Sequence, residues 1–172
     1  MMEEARAEQL PSDAQDGPDH PGLAGPSRVC LITLGGESFA IQLAHVREVF
    51  KLELVTPVPG MPASLVGVAN LRGTIVPIAD LRPSLEVSMV STPKYVVVVQ
   101  QGVRQMGILI DGVPEIRTVY PDALLTDTTS GTARRPFLSG LLNIENRLSV
   151  ILEVSGVLAS VESETMQPSG AS

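Results

Sequence analysis

Apolar and polar positions divide the chain into three parts. Residues 1–27 show no apolar period; four prolines, three glycines and six acids lie among them. A segment that poor in large apolar side chains cannot offset the entropy of ordering, so an acidic, disordered leader is expected over 1–27. From Val29 the pattern becomes short apolar runs punctuated by glycine. Val29–Leu34 and Glu37–Gln42 flank Gly35-Gly36, the spacing of a two-residue hairpin. Leu43–His45 has room for one helical turn before Val46-Arg47-Glu48-Val49, and the three prolines of Thr56–Pro62 predict an extended or looped segment. Val66, Val68 and Leu71 alternate with small residues and read as a short buried strand. Asn70, Arg72 and Gly73 follow as turn chemistry, and Thr74–Ile78 is a β-rich return. Pro77 in that return has no ladder donor, which predicts an edge strand, a bulge or a bend. Tyr95–Val99 is continuously apolar, as in a strand buried on both faces. After Gln101-Gly102 the chain returns with Met106, Ile108 and Ile110 on one face. Asp122–Pro136 reads as a long mobile loop, Leu148–Leu152 as the last strand, and Glu153–Val161 as a short helix weakened by Gly156. Residues 161–172 form a polar, disordered tail, leaving 28–160 as the folded domain.

The folded part repeats itself. A shift of 67 residues lays Cys30-Leu-Ile on Val97-Val-Val, Gly35 on Gly102, Ile41 on Ile108 and Val46-Arg-Glu-Val on Val113-Pro-Glu-Ile. A shift of 73 lays Gly67-Val-Ala-Asn-Leu on Gly140-Leu-Leu-Asn-Ile, and Ile75 and Ile78 on Leu148 and Ile151. The apolar pattern survives both shifts but the charge does not: Arg72 falls on Glu145 and Pro77 on Val150. Two similar β units are expected. Many short strands joined by glycine turns favour small barrels, because closure removes exposed strand edges.

Charge and chemistry narrow the function classes. The formal charge of −7 belongs to the ends. Residues 1–27 hold six acids and one base, residues 161–172 two acids, and the body 11 of each sign. With no basic field, nucleic acid and anionic membrane are not expected partners. One cysteine, Cys30, sits among apolar neighbours as a buried thiol, so no disulfide framework exists. No apolar run approaches the roughly 20 residues of a membrane span, and the N-terminus lacks an apolar signal region, so a cytoplasmic protein is expected. His20 and His45 have no ligand partners at metal spacing. No nucleophile elbow or phosphate loop is present, and Asp127-Thr-Thr-Ser only faintly resembles an aspartic-protease motif. Glu48, Asp80, Asp111 and Glu115 lie beside strands as capping or exposed acids, so no catalytic centre, cofactor or metal is expected. What stands out is Arg72, one arginine at a β corner between apolar strands. It is either a structural ion-pair partner or a recognition group.

The same corner carries a resemblance. Asn70-Leu-Arg-Gly73 followed by Ile75-Val-Pro-Ile78 and Asp80-Leu-Arg82 resembles the signature of the CheW family of bacterial chemotaxis adaptors. So do Leu34–Ile41, Val46–Val49, Thr56–Pro59, Pro62–Val68, Gly107–Val113 and Leu138–Leu141, an ordered set covering roughly 29–160. The resemblance implies an all-β fold of two five-stranded SH3-like barrels on a shared core, with one or two short helices. It also implies a non-enzymatic adaptor that couples methyl-accepting chemoreceptors to a CheA-type histidine kinase and joins the membrane receptor array only through these partners. It assigns receptor binding to Val46, Glu48, Gly67 and Arg72, with Glu48 pairing the arginine. Tyr95 and Val96, at the start of the second unit, are candidates for kinase binding. Ser64 stands where the family has an aromatic residue and Val66 where it has a polar one, both placed near the Arg72 corner. They keep open a paralogue serving another array, for pili or gliding. The competing class is a small all-β enzyme.

Overall fold

A computed structural model of the chain describes residues 25–126 and 137–166. The expectations for the leader up to residue 24, for 127–136 and for 167–172 lie outside the described residues. Among the described residues, eleven strands form two sheets. The first sheet contains β1 (Ser27–Leu34), β2 (Glu37–Gln42), β8 (Glu115–Val119), β9 (Leu124–Thr126), β10 (Leu138–Ile144) and β11 (Arg147–Leu152), in the order β8-β1-β2-β11-β10-β9. The second contains β3 (Val46–Lys51), β4 (Leu65–Leu71), β5 (Thr74–Ala79), β6 (Tyr95–Gln101) and β7 (Arg104–Ile110), in the order β3-β6-β7-β5-β4. The described residues also hold two α-helices, α1 (Arg82–Leu85) and α2 (Val154–Met166).

The repeat is real, but the repeats are interleaved. The 67- and 73-residue shifts carry β1–β5 onto β6, β7, β8, β10 and β11. Each sheet takes the first two strands of one repeat and the last three of the other, and β9 adds a sixth strand to the first sheet. The registers agree: Cys30 pairs with Ile116 as Val97 pairs with Val49, and Ile151 with Ala40 as Ile78 with Gly107. The two units of the sequence are therefore not the two units of the fold.

Burial follows from this exchange. Val29, Leu31, Ala40, Val119, Leu142 and Ile144 fill the interior of the first sheet, and Ala69, Ile78, Val96, Val98 and Leu109 that of the second. Between them lies a larger shared core that includes Cys30, Ile32, Ile41, Val97, Val99, Ile108 and Ile110. Alternate residues of Val96–Val99 enter different cores, which explains why this stretch has no polar position. Helix α2 seals the shared core with Val154, Val157, Leu158 and Val161, the i, i+3, i+4, i+7 stripe of an amphipathic helix. It runs past Ser160 to Met166, so the folded unit is longer than the sequence pattern indicated, and Gly156 does not stop it.

Two further expectations change. The Asp122–Pro136 loop is ordered at its start, through a 3-10 turn at Pro121–Ala123 and the three residues of β9. Pro77 lies in an interior strand, between β4 and β7. It is tolerated because its partner Val68 turns both backbone groups to Thr56, at 2.8 and 2.9 Å, and asks nothing of β5. On its other side the parallel ladder to β7 begins only at Ile78; the equivalent Val150 does pair, with Phe39.

Candidate functional site

Arg72 is the first residue of the two-residue turn Arg72-Gly73 between β4 and β5, closed by the pair Leu71–Thr74. The sequence pointed to Asn and Gly for positive φ, but Arg72 itself is left-handed, at φ 54°, followed by Gly73 at 88°. This is the geometry that matches the twist of a tight hairpin. Asn70 stabilises the turn instead, its side-chain oxygen accepting from the Gly73 N–H at 2.9 Å. The turn fixes the backbone and throws the side chain outward: it is 85% exposed, and its one ion pair among the described residues is Arg72 Nη1 to Glu48 Oε1 at 3.3 Å. A pair that exposed contributes at most about 1 kcal/mol, so the contact orients the guanidinium without consuming it. Concavities of about 380 and 430 Å³ open on either side of the pair, both lined by Glu48, Leu71 and Arg72.

Glu48 reaches Arg72 because β3 carries a bulge. Val46 pairs with Val99, but Glu48 pairs with Val98, so Arg47 is an extra residue. Val46 and Glu48 are consequently on opposite faces of the strand. Glu48 and Phe50 look into the mouth of the second sheet, while Val46 and Val49 look toward the shared core. There they line an apolar groove of about 410 Å³ with Leu43, Phe50, Tyr95, Val113, Pro114 and Ile116. Strand β3 is the edge of its sheet and β8 the edge of the other, and the groove runs between them. Val49, Val113 and Ile116 are exposed in it. Sequence reasoning named Val46 and Glu48 but missed Val49, Val113 and Ile116. The signal was in the repeat, where Val46-Arg-Glu-Val falls on Val113-Pro-Glu-Ile.

The other named residues take different places. Gly67 is buried, and a Cβ there would stand 2.4 Å from the Thr56 carbonyl oxygen. It lets the Thr56 segment cross β4 and so positions the corner from beneath. Val96 is fully buried and has no side-chain surface to offer a kinase. Tyr95 is half-buried in the same groove as Val46, and its strand pairs with β3, so these two residues do not mark a separate unit. Ser64 is buried just before β4, and Val66 is the extra residue of a bulge near that strand's start. Both stand a strand length, about 20 Å, from the Arg72 corner, so neither departure from the family pattern lies beside it.

The acids do not gather into a catalytic group. Asp80 receives a fork from Arg82, Nε to Oδ1 at 2.9 Å and Nη2 to Oδ2 at 2.8 Å, plus the Arg82 backbone N–H at 3.0 Å. Arg82 Nη1 also donates to the Ser91 carbonyl at 2.8 Å. Burial pushes the Asp80 carboxyl up, but the Arg82 hydrogen bonds and charge outweigh it and leave the group below its usual range. Asp111 accepts from the Gly36 N–H and the Ser91 hydroxyl. Glu115 accepts from Arg117. Cys30 is a free, buried thiol, pushed by burial up to about 11. Among the described residues, no cluster of His, Cys, Asp or Glu is placed to hold a metal, and no helix is long and apolar enough to cross a membrane.

Comparison with known proteins identifies the family. The model of the CheW-like domain matches residues 28–162. The chain is 32% identical over 143 residues to the probable chemotaxis protein CheW of Rhizobium etli, covering 81% of this chain and 92% of that protein. It is 33% identical over 143 residues, with the same coverage, to the chemotaxis protein CheW of Rhizobium meliloti. The scaffolding protein TtCheW of Thermoanaerobacter tengcongensis superposes with a TM-score of 0.67 at 22% identity, covering 74% of this chain and 89% of that one. That likeness bears on the fold, two SH3-like barrels on a shared core. The chain belongs to the CheW-like domain family and is a non-enzymatic chemotaxis adaptor.

Proposed function

We propose that this adaptor couples chemoreceptor signalling domains to a CheA-type histidine kinase, and that it takes the receptor over the edge of β3. An amphipathic receptor helix lays apolar anchors into the groove lined by Val46, Val49, Val113 and Ile116. An acidic or carbonyl group beside that helix meets Arg72 across β3. The observation that carries this reading is that a guanidinium 85% exposed and paired with Glu48 stands on a backbone fixed by a hairpin turn. Its remaining donors can form two parallel N–H bonds to a carboxylate. The adaptor can transmit receptor state only if its contacts differ between those states. It sits in the cytoplasm, held to the receptor array through its partners.

Titration calorimetry with a receptor signalling-domain fragment tests this. Arg72→Ala is expected to weaken binding by about 1–3 kcal/mol with little change in unfolding free energy. If Arg72→Ala binds as wild type, or loses stability while its folded fraction binds normally, the arginine is structural and the corner is not the site. Pull-down of the cognate kinase separates a chemotaxis array from one serving pili or gliding.

A further inference from the structure

The groove has two sides that the chain has built twice. Val46, Glu48 and Gly67 recur as Val113, Glu115 and Gly140 at the positions the repeat makes equivalent. The ladders keep that equivalence, since Glu115 pairs with Leu31 as Glu48 pairs with Val98. Val46 and Val49 line the groove from β3, and Val113 and Ile116 line it from the β8 side. An apolar floor with this pseudo-twofold symmetry offers a helix nearly the same contacts in two opposite orientations.

The fourth residue of the set breaks the symmetry. Glu145 has the place and backbone of Arg72, φ 53° against 54°, in the hairpin between β10 and β11, and carries the opposite charge. Arg117 stands where β3 has Phe50, and it donates to Glu145 at 2.8 Å and to Glu115 at 2.9 Å. On the β3 flank, the cations Arg47, Lys51 and Arg72 outnumber the acids Glu48 and Glu53. On the β8 flank, Glu115 and Glu145 both pair with Arg117. Glu145 is 74% exposed, open to a partner as Arg72 is.

We infer that Glu145 and Arg117 set the orientation of the receptor helix. The inference rests on the groove reading proposed above. A helix with acids along one side and bases along the other gains at both flanks in one direction and meets like charge at both in the other. Such juxtaposition discriminates more than it adds affinity. Glu145 and Arg117 are thus positioning residues, and their removal should change direction before it changes strength.

The experiment uses the whole chain with methyl-labelled valines and a receptor signalling-domain fragment carrying a nitroxide at one end of its groove-binding helix. Whatever the label does to the Val46 methyls in one orientation, it does to the Val113 methyls in the other. In the wild type, paramagnetic broadening is expected at one of these valines over the other by about tenfold. In Glu145→Arg/Arg117→Phe, which repeats the β3 corner on β8, the two are expected to broaden equally while the dissociation constant stays within about threefold. Glu145→Arg/Arg117→Gln gives the same readout without adding apolar surface, should the first variant fold poorly. A single valine broadened as in the wild type, in a folded variant that binds, overturns the inference and leaves the groove reading standing. No broadening at either valine in a wild-type complex that calorimetry shows to form overturns both.

Discussion

Arg72 combines two properties that usually conflict, a strained backbone and an exposed, functional side chain. A non-glycine residue in the left-handed region costs about 1–2 kcal/mol, and the chain keeps arginine there, at φ 54°. This separates stability from binding in a way that alanine alone cannot. Arg72→Gly is expected to be more stable than Arg72→Ala by about 1 kcal/mol in denaturant unfolding, with both losing receptor affinity equally. If glycine restored affinity as well as stability, the turn rather than the guanidinium would be what the receptor reads. Arg72→Lys keeps the charge but not the planar fork, so it is expected to lose most of the same affinity in calorimetry. Because Glu48 pairs with the Arg72 guanidinium, at 3.3 Å, Glu48→Ala and Arg72→Ala together are expected to cost less binding than the sum of the single changes. Additive losses would mean that Glu48 meets the receptor independently.

At the scale of elements, the junction of β5 and α1 is held by a buried ion pair. The Asp80–Arg82 pair is buried, with side-chain exposures of 10% and 8%, and every nitrogen of the guanidinium has a partner. Asp80→Ala leaves a buried cation without its acid and is expected to cost about 3–5 kcal/mol of unfolding free energy near pH 7. The folded-state carboxyl lies below its usual range, so its contribution is complete above the unfolded value, about 3.9. It is lost as pH falls through the lower, folded value. Unfolding curves of wild type and Asp80→Asn are therefore expected to converge below about pH 4, and a gap independent of pH would deny the linkage. The sequence displayed this junction as Asp80-Leu-Arg82 without showing its role, because residues two apart on an extended chain share a face but stand about 7 Å apart. Only the turn into α1 brings the fork round. The strands were legible for a simpler reason. Hairpins with two-residue turns fix register locally, so β1–β2, β4–β5 and β6–β7 could be read from alternation and glycine. The bulges at Arg47 and Val66 were not legible, since an inserted residue changes which face a side chain takes without changing composition. That is why Val46 and Glu48 were both named while their separation onto two faces was not.

The whole molecule differs most from what its sequence displays in how the repeats are used. A repeat read along the chain suggests two units folding side by side. Here β2 pairs in parallel with β11 and β5 with β7, so each sheet is closed by strands of the other repeat. Neither half owns a core: the shared one draws Cys30, Ile32 and Ile41 from the first half and Val97, Ile108 and Leu158 from the second. The exchange also sets edge strands β3 and β8, one from each repeat, on either side of the proposed groove, so receptor binding and folding depend on the same crossing. A chain cut between Met89 and Val90, both exposed on the segment joining α1 to β6, tests this directly. Residues 1–89 retain β1–β5 and 90–172 retain β6–β11 with α2. Each fragment alone is expected to show no cooperative thermal transition by circular dichroism, because every interior it could form lacks strands held by the other fragment. Mixed at equal concentration they are expected to regain one cooperative transition and one receptor site, with a midpoint that rises with protein concentration, as association demands. A cooperative transition in either fragment by itself would mean that a repeat folds autonomously and that the exchange is a late docking of finished units.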